Sequence, residues 1–194
     1  MTELLDKSKT AGIKDGNTKK LEMSDKRAKK IKHSYNAKNL ENTLLLKLKD
    51  GDVLIEMYED SAPEHVKRIK ELVRQGFYNG LKFHRVIDGF MAQTGCPLGT
   101  GTGGSGKKLK AEFNKRKHKR GTVSMARAMD INSADSQFFI CFTDCPWLDA
   151  QYTVWGDVIS GMEFVDMIKR GEGMNGTVFD PADKIIAMSV LSDL

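Results

Sequence analysis

The sequence predicts a mainly β protein, an antiparallel barrel or sandwich carrying two helices. Three observations predict it. Short apolar runs bounded by turn residues recur from residue 43 to residue 190. Two successive pairs of these runs are joined through Asp50-Gly51 and Asp88-Gly89, a strong local hairpin signal. Only two stretches have helical spacing, too few to cross over between the strands of a parallel sheet.

Taken in order, Thr43–Leu48 and Val53–Tyr58 are the first two strands, joined by Lys49-Asp50-Gly51-Asp52. Ser61-Ala62-Pro63-Glu64 has capping-box spacing, with Ser61 at the N-cap and Glu64 at N3. The helix that follows places Val66, Ile69, Leu72 and Val73 on one face and stops at Gly76. A strand-turn-strand unit occupies Phe83 to Gln93, and further strands are expected at Thr122–Ala126, Ser136–Phe142 and Thr153–Ile159. Gly161 to Ile168 reads as the second helix, apolar at Met162, Val165 and Ile168, and a last strand runs from Lys184 to Val190.

Charge divides the chain. Residues 1–33 hold ten Lys/Arg against five Asp/Glu, and acids and bases balance in the remainder. Residues 1–38 therefore read as a basic, disordered extension, and residues 39–194 as the folded domain. A short helix over Lys19 to Lys32 is one reading of the extension. Contact with nucleic acid or an acidic partner is another, alongside a merely solvated tail. No apolar run approaches the roughly 18 residues that span a bilayer, and no apolar segment of a secretory signal opens the chain. Three cysteines, an odd number, suggest free thiols in a reducing compartment, so the expected location is cytoplasmic.

Arg85 is the most informative residue. Side chains alternate along a strand, so Arg85 and Ile87 share one face of the first arm, and Met91 and Gln93 share one face of the second. If those faces coincide, a guanidinium and an amide stand over an apolar floor. Such a charge either has work to do or snorkels from the sheet.

Three other patterns point elsewhere. Gly99 to Lys108 contains G-x-G-x-x-G twice and nearly spells a phosphate-binding loop, but Lys108 stands where a hydroxyl should bind magnesium. Cys141 and Cys145 with scattered histidines lack zinc-site spacing, so no metal is expected. No serine, cysteine and histidine share a nucleophile motif.

Phe83-His84-Arg85-Val86-Ile87, Gly89-Phe90-Met91-Ala92-Gln93, Gly101-Thr102-Gly103-Gly104, Ser124-Met125-Ala126, Ser136-Gln137-Phe138-Phe139-Ile140 and Trp147-Leu148-Asp149 occur in that order. Six ordered motifs over about four-fifths of the chain closely resemble a cyclophilin, and Arg127-Ala128 and Tyr152-Thr153-Val154-Trp155-Gly156 look like bacterial members. The resemblance implies a closed eight-stranded antiparallel barrel capped by two helices. It also implies peptidyl-prolyl cis-trans isomerase activity without cofactor, assistance to protein folding, and action as a monomer on proline-containing polypeptides. Arg85 resembles the catalytic arginine, and Phe90, Met91, Phe139 and Leu148 resemble the wall of the proline pocket. Gln93 and the backbone at Ala126 and Arg127 resemble the groups that grip the peptide, with Gly101 in the loop beside them. Ile87 and Gln137 join the expected substrate-binding set, and Trp147 resembles the tryptophan with which many members bind cyclosporin-like cyclic peptides. Three positions depart from the common pattern. Tyr152 stands for histidine, Arg127 for asparagine, and Ala150 for glycine, which puts altered substrate preference and the local backbone in question.

Overall fold

In the computed structural model, which describes residues 37–194, the apolar runs become eight strands of one antiparallel sheet. They are β1 (Thr43–Lys47), β2 (Asp52–Met57), β3 (Arg85–Ile87), β4 (Met91–Thr94), β5 (Thr122–Met125), β6 (Phe138–Cys141), β7 (Val154–Ser160) and β8 (Ala187–Val190). Their spatial order is β3-β4-β6-β5-β7-β2-β1-β8. Register shifts at Leu54/Ile55 against β7 and at Val123/Ser124, also against β7, mark bulges that bend the sheet and help it to curl. The basic stretch 1–33 and the helix expected within it lie outside the described residues.

No continuous ladder joins the edge strands β3 and β8. Gly80 N donates to Ile185 O (2.7 Å), Phe83 N to Asp183 O (2.9 Å) and Ile185 N to Leu81 O (2.9 Å). The segments before the two strands thus close the gap with a single bridge, Lys82↔Lys184. Because residues 183–185 are committed to that closure, the last strand is confined to Ala187–Val190 instead of starting at Lys184.

Three α-helices flank the sheet: α1 (Ala37–Glu41), α2 (Pro63–Arg74) and α3 (Met162–Asp166). The first was not expected, and the expected domain start at residue 39 falls inside it. Helix α2 buries Val66, Ile69, Leu72 and Val73 as its spacing predicted. Its end is a Schellman motif: Phe77 N donates to Leu72 O (3.0 Å) and Gly76 N to Val73 O (2.9 Å), with Gly76 at φ +68°. Its start corrects the sequence reading. Ala62, not Ser61, is the N-cap and supplies no side-chain bond. The cap comes from across the fold, where Glu112 Oε1 accepts from Glu64 N (3.1 Å) and Oε2 from His65 N (3.0 Å). Ser61 Oγ instead accepts from Arg116 Nε (2.9 Å).

Inside the curl, Leu44, Leu46, Val53, Ile55, Phe83, Val86, Val123, Phe138, Ile140 and Trp155 form the main core with α2. Strand β6 is buried on both faces. Phe138 and Ile140 point into this core. Phe139 and Cys141 point outward into a second apolar cluster with Met91, Cys145 and Leu148. That second cluster is where the site lies.

Candidate active site

The β3–β4 hairpin pairs Arg85 with Gln93 and Ile87 with Met91, so the two arms present one common face. Strand β6 continues it, with Gln93 opposite Phe139. The result is a pocket of about 170 Å³ lined by Arg85, Phe90, Met91, Gln93, Ala126, Arg127, Phe139, Leu148 and Tyr152. These nine belong to the set singled out in the sequence. Of the other four, Ile87 packs against the same apolar cluster without lining the pocket. Gln137 and Gly101 form the adjoining polar edge. Trp147 is 58% exposed, with its ring centroid 5.8 Å from that of Phe90.

Arg85 is held from two sides by neutral acceptors. Its Nε donates to Asn175 O (3.0 Å) and its Nη1 to Gln93 Oε1 (3.2 Å). Gln93 Nε2 donates to Gln137 Oε1 (3.0 Å), and Gln137 Nε2 donates to Gly101 O (2.8 Å) and Gly103 O (2.7 Å). This chain of amides fixes which end of each glutamine faces the guanidinium. Burial lowers the Arg85 pKa from its ordinary value, yet an arginine stays protonated in a protein. Asn175 lies 90 residues away in the chain, and no sequence signal pointed to it. Its loop reaches Arg85 because residue 176 has no side chain: a Cβ on Gly176 (φ +63°) would sit 2.6 Å from Val86 O.

The glycine loop is organised by its own groups. Cys96 Sγ accepts from Gly101 N (3.2 Å) and Gly103 N (3.3 Å). Asp135 accepts from Ser105 N (2.5 Å) and Gly106 N (3.2 Å). Those amides are therefore spoken for, which is a physical reason to discard the phosphate-loop reading. Cys96 thus organises the loop through its sulfur. Burial pushes its thiol up, but the N–H groups of Gly103, Thr100, Gly101 and Leu98 outweigh that, and the net shift is downward.

Behind Phe139 lies a relay that sequence spacing concealed. The His118 ring stacks on Phe139 (centroids 6.2 Å, planes 16° apart). Its Nδ1 faces Asp149 Oδ1 (3.1 Å) and its Nε2 faces Ser124 Oγ (3.0 Å). Ser124 is fully buried and its Oγ also lies 3.0 Å from Thr153 O, so the trio is a brace and not a nucleophile. Its backbone N–H and ring, with Lys117, hold the Asp149 carboxyl down at about 2. Ala150, one residue on, takes φ +58°. A side chain there costs roughly 1–2 kcal/mol that glycine would not.

Burial is the largest cause of a lowered pKa at His65, His84 and His118 alike. A histidine lowered from its ordinary value of about 6.5 contributes stability that is fully present above that value and lost as pH falls below it. We therefore expect the urea midpoint to drop steadily from about pH 7.5 to about pH 5.5. A flat midpoint across that window would contradict the burial of these rings.

The comparisons agree with this geometry. Residues 43–190 match the family described as cyclophilin type peptidyl-prolyl cis-trans isomerase/CLD. A probable peptidyl-prolyl cis-trans isomerase of Brucella suis is 55% identical over 166 residues, covering 79% of this chain and 84% of that protein. Peptidyl-prolyl cis-trans isomerase B of Bacillus subtilis is 45% identical over 130 residues, covering 66% and 90%. Among solved structures, a cyclophilin from Hirschia baltica superposes with a TM-score of 0.71 at 27% identity, covering 80% of this chain and 76% of that one. A Cryptosporidium parvum cyclophilin type isomerase, crystallised in the presence of the dipeptide Ala-Pro, also gives 0.71, at 29% identity over 76% and 98%. With its strand order, its apolar pocket and these relatives in agreement, the chain belongs to the cyclophilin-type peptidyl-prolyl cis-trans isomerases.

Proposed function

We propose that Arg85 is the catalytic group and that the pocket beside it receives the proline ring of an X–Pro bond in an unfolded or flexible chain. The observation that carries this is a fixed guanidinium on the rim of a pocket walled by Phe90, Met91, Phe139 and Leu148. Amide resonance sets a rotation barrier of roughly 18–20 kcal/mol, and uncatalysed exchange takes tens to hundreds of seconds. As the bond twists, the nitrogen becomes pyramidal and regains its lone pair. A donor fixed beside that nitrogen favours the twisted state over the planar one. The apolar wall strengthens the interaction by lowering the local dielectric and anchors the ring while the preceding carbonyl swings. Gln93 and the backbone at Ala126 and Arg127 would hold the peptide. Ile87 backs the apolar wall, and Gln137 steadies Gln93 from the side of Gly101.

The same reading makes the protein a folding assistant acting as a monomer in the cytoplasm, on a domain of residues 39–194 with residues 1–38 as an extension. Three free, buried thiols support a reducing compartment. Among the described residues no helix is long and apolar enough to cross a membrane. The exposed indole of Trp147, next to Phe90, suits an apolar cyclic peptide of the cyclosporin kind. Exchange NMR on an Ala-Pro peptide tests the central claim: cis/trans exchange should accelerate at catalytic protein concentration. Peptide binding without acceleration would make the protein a proline-binding module instead.

A further inference from the structure

Seven arginines lie within the described residues, and five meet a carboxylate. Arg68 pairs with Glu71, Arg74 with Glu41 and Asp193, Arg116 with Asp60, Arg120 with Asp166, and Arg170 with Asp88. The two without an ion pair, Arg85 and Arg127, both line the pocket. Arg127 donates from Nε (3.1 Å) and Nη2 (3.0 Å) to Gln151 O, and from Nη1 to Ala128 O (3.0 Å) and Met129 O (3.3 Å). Its guanidinium also lies over the Tyr152 ring, 4.6 Å from the centroid. Every one of these acceptors is neutral, as are those of Arg85.

Neither nearby acid forms an ion pair with these two guanidiniums. Asp149 is paired with Lys117 (3.1 Å), and Asp130 Oδ1 turns instead to Asn132 N (2.8 Å), from which it accepts. No carboxylate lines the pocket. Two cations held firmly on one rim, with their countercharge missing, make a site whose field favours an anion. Arg127 is fixed by both its backbone bonds and the phenol beneath it, so its charge is held in place at the rim without having to be ordered by the ligand.

We propose that this pocket prefers X–Pro bonds flanked by an acidic residue, Asp or Glu, and that Arg127, braced by Tyr152, is the residue that determines the preference. The inference rests on the pocket being the proline site, and it names the class of chain that site serves. Arg127 acts here through charge at a solvent-facing rim, so the preference is screened by salt.

The test is exchange NMR on peptides with acetylated and amidated ends, carrying Glu, Ala or Lys immediately before or immediately after the proline. Each catalysed rate is normalised to the uncatalysed exchange of the same peptide. For at least one of the two positions, kcat/KM for Glu should exceed that for Lys by about tenfold at low salt. The ratio should shrink towards one at about 0.5 M salt, where the screening length is only a few ångströms. In Arg127→Gln the low-salt ratio should fall about fivefold. Equal kcat/KM for Glu, Ala and Lys in the wild-type protein would overturn the proposal while leaving the isomerase reading intact. An unaltered ratio in Arg127→Gln would overturn the assignment to Arg127. Failure to accelerate exchange in any peptide would sink the underlying reading instead.

Discussion

Replacing Arg85 with alanine should lower kcat/KM for X–Pro exchange by about 10²–10³, the loss of one well-placed donor to a developing charge, about 3–4 kcal/mol. The loss should fall mainly on kcat, because the apolar wall that anchors the ring is untouched. Lysine should restore little. Its ammonium is a compact point charge without the fork that lets Arg85 grip Asn175 O and Gln93 Oε1 while keeping further N–H groups for the substrate. The measurement is exchange NMR on one Ala-Pro peptide with both variants, alongside a binding isotherm for the same peptide. Turnover close to wild type in Arg85→Ala would dismiss the twisted-amide mechanism. A drop confined to binding would mean that Arg85 holds the peptide and does not favour the twist.

The second large effect concerns stability. Glu112 serves the two leading N–H groups of α2 and, through Oε2, the buried His65 ring at Nδ1 (2.6 Å). Glu112→Ala removes the acceptor for all three at once. It leaves a desolvated ring nitrogen and two backbone donors at the positive end of a helix. Each unsatisfied buried group costs about 1–3 kcal/mol, and water can reach part of this cluster, so a loss of about 2–4 kcal/mol is expected. For a domain of this size that lowers the thermal midpoint by about 5–15 °C. Glu112→Gln, which keeps one acceptor oxygen, should recover about half. Calorimetry on the three proteins decides it. A shift under about 2 °C in Glu112→Ala would show that Glu112 is not the cap it resembles.

The sequence showed the pocket more fully than the scaffold around it. Alternation along two short arms put Arg85 with Ile87 and Met91 with Gln93, and left open only whether the two faces coincide. The pairing of Arg85 with Gln93 in the hairpin brings the two faces together. The family resemblance named the remaining wall residues, and with Arg85, Met91 and Gln93 they make up the nine that line one cavity. What stayed hidden was long-range pairing. Asn175 reaches Arg85, Glu112 reaches α2, and His118 reaches Asp149 across gaps of 90, 47 and 31 residues. Local spacing carries no information about such meetings. The capping box at Ser61 misled for a related reason. The local rule describes the best acceptor within three residues, and a carboxylate from another part of the chain displaced it. Local spacing alone does not separate core from pocket wall at Phe139, because β6 is apolar at every position. Only the register with β4 and β5 separates its two faces.

That two-sided strand has a consequence for how the protein can change over time. Phe138 and Phe139 are neighbours in the chain yet answer to different demands, one to cohesion of the interior and the other to whatever enters the cleft. A single inserted or deleted residue before Phe138 would exchange their roles, leaving the cleft with the wrong lining and the interior with the wrong shape. This stretch can drift only by substitution, and so the cleft floor inherits the conservatism of the interior.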